Sequence, residues 1–97
     1  MKTVFSSGAN RDIKKILEYY SAEAGVDIAM DFHAELDSVV GRIKQWPESF
    51  PLIGEGLHRA ILRRFPYQVV YRVQSVDWIR ILVIRHHKQH PDFGLDR

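Results

Sequence analysis

The spacing of the apolar residues changes halfway along the chain, and this change restricts the fold more than any other feature of the sequence. In the first half, apolar residues recur every three or four positions over residues 13–24 and again over residues 29–46. That is the period of an amphipathic helix. Gly25 separates the two stripes and Pro47 follows the second, so we predict two helices, with Asp27 capping the second. Helices joined by so short a turn are expected to pack as an antiparallel hairpin.

The second half of the chain predicts β-strands instead. Strand-like runs cover residues 57–64, 68–74 and 78–86, and a shorter one covers residues 2–6, before the possible helix caps Ser6, Ser7 and Asn10. Pro66 stands inside what would otherwise be one long strand. Because proline cannot donate to a sheet ladder, one strand must end before it and another begin after it. Residues 47–56 are rich in proline and glycine and are predicted to form a loop.

The resulting order, β-α-α-β-β-β, indicates a single α+β domain over residues 1–97, with the helical hairpin packed on one face of a small, mainly antiparallel sheet. Placing all apolar residues of the last hairpin on one face pairs Val73 with Ile79, Tyr71 with Ile81 and Val69 with Val83, and leaves residues 75–77 as the loop. In this register Arg72 lies opposite Arg80. Like charges across a ladder repel each other, so we expect an anion to approach them, unless both side chains extend into water.

The charge of the chain is divided unevenly. Residues 1–56 contain six Lys/Arg and nine Asp/Glu, whereas residues 57–97 contain eight and three. A basic second half suggests an anionic partner, either nucleic acid or an acidic protein segment. A solvated surface that the acidic half balances is the alternative interpretation.

The predicted strands would gather part of this positive charge on one surface. Arg59 and Arg63 are expected to share a strand face, with Arg72 and Arg80 on the following two strands. Phe65, Tyr67 and Tyr71 would be interleaved with these arginines, although we expect Tyr71 to be a core residue. The prediction is a concave, basic sheet surface.

Residues 85–93, with the sequence RHHKQHPDF, hold three histidines directly after the last strand. A metal site built on His90 with His86 or His87 would need further ligands that the sequence does not single out, so we predict no metal site. A histidine flanked by Arg85 and Lys88 could instead act in phosphodiester cleavage, because the cations would stabilise charge developing on phosphorus. A basic, exposed strand end is the alternative.

Other classes of protein are disfavoured by what the sequence lacks. The chain has no cysteine, which removes disulfides and thiolate metal sites, and we expect no cofactor. No apolar run is long enough to span a membrane, and residues 1–10 lack the apolar core of a secretory signal. We therefore expect a cytoplasmic protein that does not interact with membranes.

Four segments together resemble the RelE/ParE superfamily of toxins from bacterial type II toxin–antitoxin systems, often called plasmid stabilisation proteins: RDIKKILEYY, WPESFP, RRFPYQVVYRV and IRILVIRHHKQHPDF. The resemblance covers nearly the whole chain and the order of its predicted elements. It implies a growth-arresting toxin that is neutralised by a cognate antitoxin, which wraps it with an extended acidic or amphipathic segment. Such a segment would supply the missing anion.

The superfamily divides by target. RelE-like members are ribosome-dependent endoribonucleases, often with a tyrosine or histidine near the C-terminus, whereas ParE-like members inhibit DNA gyrase. Here Phe93 follows the last strand and cannot transfer a proton. In addition, the F-P-Y-x-x-x-Y-R motif is similar to that of ParE members. We therefore favour a ParE-like gyrase inhibitor.

Each alternative implies its own site residues. For a ParE-like toxin, the residues that bind antitoxin or target would be the basic ones of the sheet, Arg59, Arg63, Arg72, Arg80 and Arg85. For a ribonuclease cleaving mRNA on the ribosome, the catalytic residues would be Arg63, Arg85, His86 and Lys88. A non-toxic relative that only binds its antitoxin stays open as a third alternative.

Overall fold

The computed structural model describes every residue of the chain, 1–97. Its elements in chain order are β1 (Lys2–Phe5), α1 (Ser7–Glu23), α2 (Val26–Gln45), β2 (Leu52–Gly54), β3 (Leu57–Ile61), β4 (Tyr67–Ser75) and β5 (Trp78–His86). The strands form one sheet in the order β1-β5-β4-β3-β2, in which β1 runs parallel to β5 and all other neighbours are antiparallel. The predicted α+β fold is confirmed. The three-residue strand β2 is an addition, inside the segment that we predicted to be a loop.

The first helix is fixed to the sheet at its first turn. Ser6 is its N-cap: the side-chain oxygen accepts a hydrogen bond from the Ala9 N–H at 2.9 Å and donates one to the Leu82 carbonyl of β5 at 2.7 Å. For α2 the predicted Asp27 cap is wrong. Gly25 is the N-cap, and its φ of 99° lets the chain reverse direction within two residues, so Asp27 already lies in the first helical turn.

Both helices pack on the same face of the sheet. The core contains Ile16 of α1, Phe32 and Val39 of α2, and Tyr71 and Ile81 of the sheet, all of them buried. An aromatic group closes one end of this core. Tyr20 and Phe32 are tilted against each other, and both lie edge-on against Phe65 and Tyr67, at centroid distances between 5.2 and 6.4 Å. None of the helices is long and apolar enough to cross a membrane.

The register of the β4–β5 hairpin is only partly as predicted. The pairs Val73–Ile79, Tyr71–Ile81 and Arg72–Arg80 are confirmed, but Val69 lies opposite Ile84 and Val70 opposite Val83. The predicted Val69–Val83 pair is wrong because β5 has an extra residue, Leu82, at a β-bulge. A second irregularity at Gln74 lets Ser75 pair with Trp78, so the turn is only Val76 and Asp77.

The bulge at Leu82 sends apolar residues to both faces of the sheet. Ile81 and Ile84 contact the helices, whereas Leu82 and Val83 lie on the open face in a small cluster with Leu57 and Val70. In the chain after β5, residues 87–97, Leu95 packs against this cluster. We call residues 87–97 the C-terminal segment.

Candidate functional site

Four arginines lie on the open face of the sheet, which the helices leave uncovered: Arg59 of β3, Arg72 of β4, and Arg80 and Arg85 of β5. Their common face follows from the register, because each shares the orientation of a residue in the open-face cluster. We call these four residues the basic sheet face. The structure brings together four of the five arginines predicted for antitoxin or target binding.

The end of this face next to the β4–β5 turn carries unpaired positive charge. Arg72 lies directly opposite Arg80 on neighbouring strands, and both side chains are partly exposed. Arg72 donates a hydrogen bond to the backbone carbonyl of Glu55 at 2.5 Å, and neither arginine forms an ion pair with a carboxylate. The expected excess of charge is therefore present.

The opposite end of this face, around Arg85 near the end of β5, is more buried. The Arg85 side chain donates to the carbonyls of Pro91 and Phe93 in the C-terminal segment, and the residue is only 6% exposed. This burial, together with the neighbouring charge of Arg59, lowers the Arg85 pKa, although Asp92 partly offsets the effect. Beside it, the Arg59 Nε and the Gln68 Oε1 are buried without hydrogen-bond partners.

Arg63 does not belong to the basic sheet face. Strand β3 ends at Ile61, so the prediction that Arg59 and Arg63 share a strand face is wrong. The backbone N–H groups of Arg63 and Arg64 donate to the Glu35 carboxylate at 2.8 and 3.1 Å, which draws the chain away from the ladder toward α2.

The aromatic residues do not interleave with the arginines either. Phe65, Tyr67 and Tyr71 all pack on the side of the helices, where Tyr71 is fully buried as expected. Its hydroxyl donates to the Pro47 carbonyl at 2.6 Å. Burial raises the pKa values of Tyr20, Tyr67 and Tyr71, that of Tyr67 to about 12.

A concave surface lies at the end of β5, on the side of the helices. This cavity has a volume of about 410 Å³ and is lined by residues that include Lys15, Tyr19, Tyr67, His86, Lys88 and Phe93. We call it the end cavity. Sequence reasoning missed Lys15 and Tyr19, because they lie on the first helix; their spacing from Asp12 places all three on one side of α1 and was the available indication.

The residues predicted for a ribonuclease are not brought together. Consecutive residues of a strand point to opposite faces, so Arg85 lies on the open face while His86 lies in the end cavity, 5.1 Å from the ring of Tyr67. Lys88 shares the cavity with His86, and Arg63 lies in the connection between β3 and β4. The candidate set is thus divided among three places.

Two of the histidines at and after the end of β5 form local hydrogen bonds with the backbone. The His86 Nδ1 accepts a hydrogen bond from the Lys88 N–H at 3.0 Å, and the His90 Nδ1 accepts one from the Asp92 N–H at 3.0 Å. In the neutral form, each ring therefore carries its proton on Nε2. No three His, Asp or Glu side chains lie close enough together to hold a metal ion.

Comparison with known proteins gives matches at the levels of family and fold. The model of the family described as "ParE toxin of type II toxin-antitoxin system, parDE" matches residues 3–91. A structure of the chromosomal ParDE toxin–antitoxin system from P. aeruginosa is 22% identical, with a TM-score of 0.70, covering 89% of this chain and 95% of that one. The toxin–antitoxin complex RelBE2 from Mycobacterium tuberculosis is 23% identical, with a TM-score of 0.57, covering 88% and 95%.

Both solved structures are less than 25% identical to this chain, so these similarities establish only the shared fold. None of the curated proteins compared with the sequence matches it significantly. The family match carries more weight, because it extends over almost the entire folded chain, from β1 into the C-terminal segment. The chain belongs to the ParE toxin family of type II toxin–antitoxin systems.

Proposed function

We propose that this toxin arrests bacterial growth by inhibiting DNA gyrase, and that a cognate antitoxin neutralises it by covering the basic sheet face. We choose gyrase over mRNA as the target because the residues that a ribonuclease would need at the end of the sheet lie on two opposite faces of β5. Arg85 is held under the C-terminal segment, whereas His86 and Lys88 face the end cavity. A phosphodiester-cleaving site would need these groups around one phosphate.

Proton transfer is a further argument against cleavage. A general base must present a free lone pair to the nucleophile, but the Nδ1 of His86 already accepts the Lys88 N–H. Tyr67, with its pKa raised to about 12, stays protonated at neutral pH, and Phe93 has no titratable group. This supports a toxin that acts by binding rather than by cutting RNA.

The antitoxin partner is supported by the relatives and by the charge of the sheet. Both solved relatives are described as parts of toxin–antitoxin systems. In this chain the opposed pair Arg72 and Arg80 has no carboxylate partner of its own. An acidic segment of the antitoxin laid across the face would relieve the repulsion between them.

Two assays on the purified full chain test the target. DNA supercoiling by gyrase is measured in one, and cleavage of mRNA on translating ribosomes in the other. We expect inhibited supercoiling with intact message, and recovery of supercoiling when the antitoxin is added. Cleaved message with normal supercoiling would contradict the proposal and favour the ribonuclease. The absence of both effects, with normal growth on expression, would indicate the non-toxic relative.

A further inference from the structure

The proposed neutralisation uses the basic sheet face and not the end cavity, whose lining nevertheless favours one class of ligand. Two elements form most of its wall: α1 contributes Lys15 and Tyr19, and the chain from His86 onward contributes Lys88, Gln89 and Phe93. Its volume of about 410 Å³ falls within the range of roughly 300–1,000 Å³ typical of small-molecule sites. The basic sheet face lies on the other side of β5.

The carboxylate, amide and imidazole acceptors of the cavity are already occupied. Its one carboxylate, Asp12, accepts the guanidinium of Arg97 at 2.6 Å and the Ile84 N–H at 3.1 Å. The Gln89 Oε1 accepts the His86 N–H at 2.7 Å, and the His86 Nδ1 accepts the Lys88 N–H.

The donors and cations, by contrast, are free. The Gln89 amide group and the His86 Nε2–H have no partner within the protein, and neither Lys15 nor Lys88 forms an ion pair. A cavity whose carboxylate, amide and imidazole acceptors are occupied, while its donors and cations are free, favours an anionic ligand.

The apolar part of the wall is aromatic. Tyr19 is 57% exposed and Phe93 37% exposed, so both rings present surface to a ligand, while Tyr67 lies deeper with the His86 ring edge-on against it. Exposed aromatic rings next to cations suit a ligand that combines a flat ring system with a negative group.

We propose that the end cavity binds a nucleoside phosphate, with the phosphate between Lys15 and Lys88 and the base against the ring of Tyr19 or Phe93. The ligand is either a free nucleotide or one nucleotide unit of a nucleic acid chain, since both present the same groups. Binding involves no cleavage, because the cavity offers no free general base.

The test is a calorimetric titration of the full chain with ribonucleoside monophosphates, ribose 5-phosphate and a short single-stranded oligonucleotide. We expect a monophosphate, free or within the oligonucleotide, to bind at least about fivefold more tightly than ribose 5-phosphate, because only the nucleotide can stack. Replacing both Tyr19 and Phe93 with alanine should abolish this preference without changing the affinity for ribose 5-phosphate. Lys15→Ala with Lys88→Ala should weaken nucleotide binding at least about tenfold.

The matched control is Lys14→Ala with Lys44→Ala, which removes the same charge from two exposed positions outside the cavity. An equal loss of affinity in the control pair, equal binding of nucleotide and ribose 5-phosphate, or no binding at millimolar ligand would each overturn the proposal. Tighter binding of the oligonucleotide would identify nucleic acid as the source, and binding of the monophosphate alone would identify a free nucleotide. Gyrase inhibition is measured separately on the same variants, so failure of either proposal is visible without the other.

Discussion

The carboxylate of Asp12 lies 2.6 Å from the guanidinium of Arg97, and this ion pair fastens the C-terminal segment to α1. Both side chains are largely buried, at 11% and 19% exposure. The pair lies where the sheet has an open edge, because β1 pairs only with the first four residues of β5. Beyond that point, Asp12 accepts the Ile84 N–H and Arg97 donates to the Leu82 carbonyl, so side chains replace the missing strand.

Substituting Asp12 with alanine should destabilise the protein by about 2–4 kcal/mol, because it leaves a buried guanidinium and the Ile84 N–H without their acceptor. The measurement is the free energy of unfolding from urea denaturation. Asp96→Ala is the matched control, since Asp96 is exposed and its side chain forms no hydrogen bond or ion pair. Similar stabilities for the two variants would show that the edge does not depend on the Asp12 carboxylate.

Two glycine substitutions should change stability in opposite directions. Gly94 has a φ of +78°, and an added Cβ would lie 2.7 Å from the Val83 Cγ2, so Gly94→Ala should cost about 1–3 kcal/mol. Gly41 is exposed within α2, and a Cβ there would meet nothing within 4 Å, so Gly41→Ala should stabilise by about 0.5–1 kcal/mol. Melting temperatures of both variants provide the measurement. If Gly94→Ala left the melting temperature unchanged, the C-terminal segment would not pack closely against Val83 in solution.

Stability should fall in alkali because partial burial raises the pKa of Tyr67 in the folded state. A tyrosine in the unfolded chain ionises near about pH 10, whereas burial raises the pKa of Tyr67 to about 12 in the folded state. Between these values the folded state binds more protons, so the free energy of unfolding decreases as pH rises. Tyr67→Phe should make this decrease less steep, as judged by urea denaturation at neutral pH and near pH 11. An unchanged slope would mean that Tyr67 ionises equally well in both states.

The parts of the fold that the sequence predicted correctly depend on a regular period. The bounds of β5 and the Tyr71–Ile81 pair followed from alternation, and the two helices followed from stripes of apolar residues. Alternation failed at Leu82, because the residues on both sides of the bulge are apolar and fit either face. Val83 is buried on the open face because the C-terminal segment packs against it at Gly94, and that contact is not visible in a local pattern.

The candidate site was predictable to a similar degree. Arg72 and Arg80 followed from hairpin register, whereas Arg63 was misplaced because nothing in its neighbourhood indicated that Glu35 would capture the backbone after Ile61. The end cavity joins α1 to the end of β5, so its formation depends on tertiary packing. Such a surface cannot be derived from one stretch of sequence.

Replacing both Arg72 and Arg80 with alanine should leave the fold intact and weaken antitoxin binding. The pair lies across neighbouring strands with no carboxylate partner, and its main internal contact is one hydrogen bond from Arg72 to the Glu55 carbonyl. Loss of that bond is offset by relief of the repulsion, so the free energy of unfolding should change by less than about 1 kcal/mol. Affinity for the antitoxin should fall at least about tenfold, because two charge-assisted contacts are removed.

Calorimetry with the purified antitoxin measures this loss, and Arg11→Ala with Lys44→Ala is its control. The control removes the same charge from exposed positions on the two helices, away from the basic sheet face. If long-range attraction alone governed binding, the two double variants would lose affinity equally, and both losses would disappear at high salt. A larger loss for the strand pair that persists in salt would locate the antitoxin's acidic groups at Arg72 and Arg80. Unchanged affinity for both antitoxin and gyrase would remove this pair from the functional surface.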